Sequence, residues 1–128
     1  MTSAPAEFLE ARRVSLSRSL RALDVDALIV TSRPNIAYLT GFFGSAGILL
    51  ATGDGLLLLS DSRYGEALHD IARHVPGLAV VVTAPGSGSA EESLVEGVAE
   101  LAPSRVGFES ANLTVSQHVD LAARLAAA

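Results

Sequence analysis

The sequence predicts an α/β domain in which helices cover a mixed β-sheet. Short apolar runs typical of strands alternate along the chain with segments whose apolar residues recur every three or four positions, as in amphipathic helices. The segment 46–60 contains two apolar runs joined by a glycine-rich turn at Asp54 and Gly55, which is typical of a tight hairpin. Because a hairpin joins antiparallel strands, at least one strand of the sheet must run against the others.

The helices are predicted from amphipathic spacing and from their first residues. Pro5 suits the first turn of the first helix. Ser89 is followed three residues later by Glu92, which forms a capping box. Thr114 and Gln117 form a second one. The predicted elements in chain order are helix 6–24, strand 25–32, hairpin 46–60, helix 63–74, strand 78–83, helix 90–101, strand 105–109 and helix 115–126.

The strands 25–32 and 78–83 are almost uninterrupted apolar runs, which predicts that both faces of each are buried. The stretch between the first strand and the hairpin, 35–47 (NIAYLTGFFGSAG), is predicted as a loop because glycines flank two adjacent phenylalanines there. The three glycines Gly41, Gly44 and Gly47 are expected to give its backbone conformations that are closed to other residues.

Composition limits what the chain can do. Its 128 residues suit one domain with a core of its own, and its formal net charge of −5 argues against a nucleic-acid partner. There is no cysteine, and all nine basic residues are arginine, which excludes thiolate chemistry and Schiff-base or P-loop lysines. The apolar runs fall far short of the about 18–20 residues that span a bilayer, and no signal peptide is visible. We therefore expect no membrane contact and a cytoplasmic location.

No catalytic or metal-binding constellation is predicted in these residues. His69 and His74 lie five positions apart and His118 far along the chain, a spacing that does not suit chelation of one metal ion. Ser45, in FGSAG, lacks the first glycine of a nucleophile elbow and precedes a strand, not a helix. The segment 86–91 carries a glutamate where a phosphate loop needs its third glycine.

The segment DSRY, residues 61–64, follows a buried strand at the start of a helix, where ligands of α/β sheets often bind. Capping of that helix by Asp61 or Ser62 explains the segment without any binding function and is the commoner case. Arg63 has no structural requirement from the pattern. It could pair with Asp61, stack on an aromatic ring or reach a partner.

Three segments carry a resemblance to a known family. They are Asn35-Ile36-Ala37-Tyr38-Leu39-Thr40-Gly41-Phe42, Asp61-Ser62-Arg63-Tyr64 and Val106-Gly107-Phe108-Glu109. In order and spacing, over about residues 10–125, they resemble the N-terminal domain of the creatinase/prolidase family of M24-type metallopeptidases. That family includes Xaa-Pro dipeptidases (prolidases), Xaa-Pro aminopeptidases (aminopeptidase P) and creatinase.

The resemblance implies a three-layer α/β/α domain with a mixed five-stranded sheet of ribonuclease H-like topology. The implied strand order is 3-2-1-4-5, with the second strand antiparallel. It also implies structural roles for the motif residues. These residues are Asn35, Tyr38, Thr40, Gly41, Phe42, Asp61, Tyr64, Gly107 and Glu109.

The resemblance further implies that catalysis lies elsewhere in a longer protein. The family's peptidases hold two divalent metal ions (Mn, Co or Zn) in a C-terminal domain, on two Asp, two Glu and one His. That ligand set is not found in residues 1–128, so we expect a single non-catalytic domain without a metal. Its expected partners are its own catalytic domain, a second subunit in a homodimer and, in the parent protein, a peptide substrate.

In this family the loop after the T-G-F motif can reach the neighbouring subunit's active site. The resemblance therefore predicts that Phe43, with Ser45 and Arg63 nearby, contributes to a substrate pocket in trans, while Phe42 points into the domain's own core. Two alternatives remain open. The parent could be a creatinase-like amidinohydrolase, or the chain could be a stand-alone α/β module that binds a small molecule or a protein.

Overall fold

The computed structural model describes residues 4–84 and 88–127, which form five helices, five strands and one 3₁₀ turn. The helices are α1 (Ala6–Ala22), α2 (Arg33–Thr40), α3 (Gly65–His74), α4 (Ala90–Leu101) and α5 (Val115–Ala127), and the 3₁₀ turn is Ser62–Tyr64. The strands are β1 (Ala27–Val30), β2 (Ile48–Thr52), β3 (Leu56–Asp61), β4 (Leu78–Thr83) and β5 (Val106–Phe108). The predicted loop 84–90 lies partly, at 85–87, outside the described residues.

The five strands form one mixed sheet in the order β4-β3-β2-β1-β5. β2 runs antiparallel to both of its neighbours, whereas β3 pairs with β4 and β1 with β5 in parallel. The mixed sheet with a reversed second strand is confirmed. The expected order 3-2-1-4-5 is wrong, because β4 pairs with β3 and not with β1. The single helix α3 returns the chain beside the strand it has just left, which is the commonest arrangement of consecutive elements.

β4 therefore lies at the edge of the sheet, and the prediction that both its faces are fully buried is wrong. Ala79 is exposed and Val80, Val81 and Val82 are half-buried. An apolar run does not distinguish a central strand from an uncharged edge strand, because both need only β-branched side chains that pack on helices.

Helices cover both faces of the sheet and make it the middle of three layers. Along β3, Leu56 and Leu58 join the cluster formed with α1, α2 and α3. Leu57 and Leu59 face α4 and α5. This alternation is the pleat of a strand buried on both sides. The predicted three-layer α/β/α architecture is confirmed.

The capping box of Thr114 and Gln117 forms as predicted, and Ser89 caps α4 as predicted. The Ser89 hydroxyl accepts from the Glu92 amide at 3.1 Å. Thr114 accepts from the Gln117 amide at 3.0 Å while the Gln117 side chain accepts from the Thr114 amide at 2.9 Å. Across residues 4–84 and 88–127, none of the helices combines the length and apolar character needed to cross a membrane.

Candidate functional site

The segment predicted as a loop begins with a helix. Residues 33–40 form α2, which starts at Ser32, whose hydroxyl accepts from the Asn35 amide, and has Pro34 in its first turn. It ends at Gly41, whose φ of 80° is a left-handed conformation that glycine adopts without strain. The prediction missed these signals because an eight-residue helix shows only two turns of periodicity. The true loop is residues 41–47, which we call the aromatic loop.

Phe42 anchors the aromatic loop in the core. Its side chain is 4% exposed, and its ring meets the Tyr64 ring edge-on with centroids 5.4 Å apart. The Thr40 hydroxyl donates to the Ile36 carbonyl at 2.7 Å and accepts from the Phe42 amide at 3.0 Å. Thr40 thus joins the end of α2 to the first aromatic residue, and Phe42 points inward as expected.

One of the three glycines, Gly44, serves Phe42 through its lack of a side chain. A Cβ atom on Gly44 would lie 2.2 Å from the Phe42 ring, whereas one on Gly47 would lie 3.4 Å from it, which is close to an ordinary contact. Only Gly41 of the three has a left-handed φ. The expectation that all three adopt special backbone conformations is therefore wrong, and Gly44 instead leaves room for the Phe42 ring.

Phe43 points the other way and is 42% exposed. It borders a shallow hollow of about 640 Å³ on the outer side of α2. The other residues around this hollow are Arg33, Pro34, Ala37 and Tyr38. Tyr38 is itself 54% exposed. An open surface with two aromatic rings and an arginine suits an apolar or proline-containing group better than a small ion. We refer to it as the α2 hollow.

Arg12 supports the α2 hollow from α1, a contact that the sequence did not reveal. Its guanidinium lies 4.1 Å from the Tyr38 ring centroid and donates to the Tyr38 carbonyl at 2.9 Å. A stacked guanidinium restricts the rotation of the ring beneath it. The pairing joins residues 26 positions apart, so local patterns could not have found it.

Ser45 and Arg63 do not join the α2 hollow but gather around Tyr64. The Tyr64 phenol oxygen accepts from the Ser45 amide at 3.1 Å and shares a hydrogen bond with the Ser45 hydroxyl at 2.6 Å. Arg63 lies 5.4 Å from the Tyr64 ring centroid and pairs with both carboxylate oxygens of Asp61, at 2.9 and 2.7 Å. Ser45 and Arg63 therefore contact Tyr64 and are not among the residues that line the α2 hollow.

Asp61 also caps the 3₁₀ turn, because its carboxylate accepts from the Arg63 amide at 3.0 Å. The hydrogen bonds from the Arg63 guanidinium lower the pKa of Asp61, and the same contact raises the pKa of Arg63. Arg63 is exposed to solvent and Asp61 is half-buried. The pattern favoured Asp61 or Ser62 as the cap of the following helix, whereas Asp61 caps the 3₁₀ turn and α3 begins after Tyr64 without a side-chain cap.

The Ser45 hydrogen bonds have a measurable consequence for Tyr64. They stabilise the phenolate and lower the pKa of Tyr64 from its usual value of 10.0.

The chain has two tyrosines, so a Tyr38→Phe variant reports Tyr64 alone. We expect the midpoint of its phenolate absorbance to lie below pH 10, and Ser45→Ala in the same background to raise that midpoint. Because the folded pKa lies below the unfolded one, this group adds stability only as pH rises through the folded pKa, and nothing at neutral pH. An unchanged midpoint in Ser45→Ala would contradict the assignment.

Glu109 ties the end of β5 to the start of α2. One carboxylate oxygen accepts from the amides of Thr31 and Ser32 at 2.6 and 2.8 Å, and the other accepts from the Asn35 side chain. A carboxylate at this position also opposes the positive end of the helix dipole. Gly107 is paired with Leu28 of β1, and a Cβ atom at Gly107 would lie 3.2 Å from the Leu28 side chain, so its absence lets β5 pack closely on β1. Two motif residues, Asn35 and Glu109, therefore position the helix that carries the α2 hollow.

The part of the chain that the structure describes contains no group of three or more His, Asp or Glu side chains able to hold a metal ion. His69 and His74 are exposed on α3, where His74 contacts the Asp70 carbonyl at 2.7 Å. His118 packs on Phe108 with ring centroids 4.6 Å apart. These three histidines lie in separate surroundings.

Residues 12–128 match the family described as the creatinase/prolidase N-terminal domain. The chain belongs to this family. A curated relative, the uncharacterized peptidase YqhT of Bacillus subtilis (strain 168), is 30% identical over 101 residues. That alignment covers 79% of this chain and 27% of YqhT, so the chain spans about a quarter of the relative's length.

Two solved structures show the same domain. An Xaa-Pro aminopeptidase structure from Streptococcus pyogenes superposes with a TM-score of 0.79 at 28% identity, covering 93% of this chain and 86% of that one. The N-terminal domain of the cytoplasmic peptidase PepQ from Mycobacterium tuberculosis H37Rv superposes with a TM-score of 0.74 at 31% identity, covering 91% and 85%. The creatinase/prolidase fold predicted from the three motifs is confirmed.

Proposed function

We propose that this chain is the non-catalytic N-terminal domain of a proline-specific dinuclear metallopeptidase, an Xaa-Pro dipeptidase or aminopeptidase. In this proposal the domain assembles a homodimer and completes the substrate pocket of the partner subunit. The observation that carries the proposal is the exposed Phe43 beside Tyr38 on the α2 hollow, in a domain of a peptidase family.

The construction of the aromatic loop supports a role in contact with another surface. Burial of Phe42 fixes the loop's base, so the adjacent Phe43 is held outward rather than free to collapse into the core. An aromatic residue whose backbone position is already fixed loses less conformational entropy on binding than one on a mobile loop. Placed over a proline ring, it would exclude water and orient the substrate without taking part in bond breaking.

The chemistry of peptide hydrolysis belongs, in this proposal, to a catalytic domain outside these residues. Two divalent metal ions (Mn, Co or Zn) bound there would activate water and polarise the scissile carbonyl. The domain described here would supply neither metal ligand nor general base. The name of the relative PepQ supports a cytoplasmic location for the parent protein.

Two alternative functions each rest on a specific reason. Creatinase shares the family and therefore the N-terminal fold, so an amidinohydrolase parent is an alternative. A stand-alone binding module would use the same α2 hollow for a protein or small-molecule ligand. The substrate that the full-length parent turns over distinguishes a peptidase from an amidinohydrolase. A metal-ligating domain in the parent would distinguish a peptidase from a stand-alone binding module.

The non-catalytic role makes a direct prediction for the chain of 128 residues. We expect no turnover of Xaa-Pro dipeptides or Xaa-Pro-initiated peptides above the buffer blank, with Mn²⁺ or Co²⁺ supplied, and no tight binding of either ion by calorimetry. The reason is the dispersed set of potential ligands. The matched positive control is the full-length parent under the same conditions. Metal-dependent turnover by the purified chain, free of contaminating peptidase, would contradict the proposal.

A further inference from the structure

β4 leaves one row of its backbone groups without a strand partner, since it is the last strand of the described sheet. The Leu56 amide donates to the Gly77 carbonyl at 2.9 Å, which sets the phase of the ladder between β3 and β4. Because backbone groups alternate in direction along a strand, Ala79 and Val81 bond toward β3, whereas Val80 and Val82 direct their amides and carbonyls outward.

β4 also lacks the features that protect an edge strand from pairing with another chain. Its six residues, LAVVVT, contain no charge, proline or glycine, and its register with β3 is continuous from Leu78 to Thr83. Natural edges are kept apart by lysines, prolines, bulges or shortness. The opposite edge of the sheet shows the last of these, because β5 has only three residues.

A shallow hollow of about 420 Å³ lies beside the first half of β4, bordered by residues 72–79 at the end of α3 and in the following turn. It opens on the α3 face of the sheet, onto which Val80 and Val82 also project. A strand added to this edge would therefore meet both unpaired backbone groups and room for its side chains.

We propose that β4 pairs antiparallel with β4 of a second copy of this chain, about a two-fold axis at Val81. In this register Val80 of each copy lies opposite Val82 of the other, and the outward groups form about four backbone hydrogen bonds. The two-fold axis keeps the α3 faces on the same side, so Val82 of each copy approaches the hollow of the other. The Val81 residues meet at the axis as a pair without mutual hydrogen bonds.

A second copy suits this edge better than an unrelated strand for two reasons. Every cross-strand pair is uncharged, so no like charges oppose one another. Isologous pairing is also closed, because each copy pairs through β4 and the assembly stops at the dimer. Six-residue strands bury little surface, so a weak, reversible dimer is expected. This inference assigns an interaction surface to the homodimer of the proposed function. It does not depend on the role of Phe43.

Cross-linking tests the register directly, because the chain has no cysteine of its own. Val81→Cys places the introduced thiols opposite each other at the axis, where the Cα atoms of such a pair lie about 4.5 Å apart, within disulfide range. Ala79→Cys is the matched control: Ala79 is more exposed but would lie opposite Thr83. Under mild oxidation at high protein concentration, we expect Val81→Cys to form disulfide dimers at least ten-fold faster than Ala79→Cys.

Sedimentation velocity provides the second arm. We expect the unsubstituted chain to show a reversible monomer–dimer equilibrium, and Val80→Pro, which removes an outward amide that the monomer does not use, to weaken it at least ten-fold. Circular dichroism checks that the variant stays folded. Equal or faster cross-linking of Ala79→Cys, or growth into large assemblies, would overturn the proposal. If the dimer persists in Val80→Pro and Val81→Cys cross-links slowly, β4 is not the dimer interface. The homodimer of the proposed function would then form through another surface.

Discussion

Phe42→Ala should lower the free energy of unfolding of this chain by roughly 3–5 kcal/mol, the cost of truncating a fully buried phenylalanine. The ring is 4% exposed and lies against Gly44 and Gly47, which have no side chains to fill the space that the ring would leave. Its loss also removes the edge-on contact with Tyr64 at 5.4 Å. Urea unfolding followed by circular dichroism measures the change.

Phe43→Ala is the matched control for Phe42→Ala, because it removes the same ring from the adjacent, exposed position. We expect its unfolding free energy to lie within about 0.5 kcal/mol of the unsubstituted chain, as for most surface changes. If Phe43→Ala were the more destabilising of the two, the assignment of Phe42 as the anchor of the aromatic loop would be wrong.

Phe43→Ala should instead affect catalysis in the full-length parent. Loss of one apolar contact to the substrate should lower kcat/KM for an Xaa-Pro substrate by about 1–3 kcal/mol, or roughly 10–200-fold. Metal content and the dimer should be unchanged, since Phe43 is assigned to neither. Steady-state kinetics with substrates of increasing size at the Xaa position measure the effect. An unaltered kcat/KM for every substrate would contradict the pocket role of Phe43.

Much of the fold could be predicted because its signals are local. The apolar run Leu56 to Leu59, the turn at Asp54 and the cap at Ser89 each act over a few residues, so the pattern determines the element. The family motifs added the reversed second strand. The pairing of β4 with β3 is a long-range choice, which depends on how α3 packs, and no short pattern records it.

The candidate site was predicted less completely, for a related reason. The outward Phe43 and inward Phe42 were expected, but α2 was not, because its short apolar stretch reads as part of a glycine-rich loop. The hydrogen bonds that fix α2 come from Glu109, which is 74 positions from Asn35 along the chain. A sequence pattern shows that such a glutamate is present but not which amides it holds.

The central claim is that Phe43 acts on the partner's site rather than on its own, and mixed dimers test this most directly. One subunit would carry Phe43→Ala with an intact catalytic domain. The other would keep Phe43 but lack a metal-ligating carboxylate, so that only the first subunit's site can turn over. If Phe43 acts in trans, kcat/KM per functional site in the mixed dimer should return to the unsubstituted value. If kcat/KM per functional site stays at the low value of the Phe43→Ala homodimer, Phe43 acts within its own subunit and the account is contradicted.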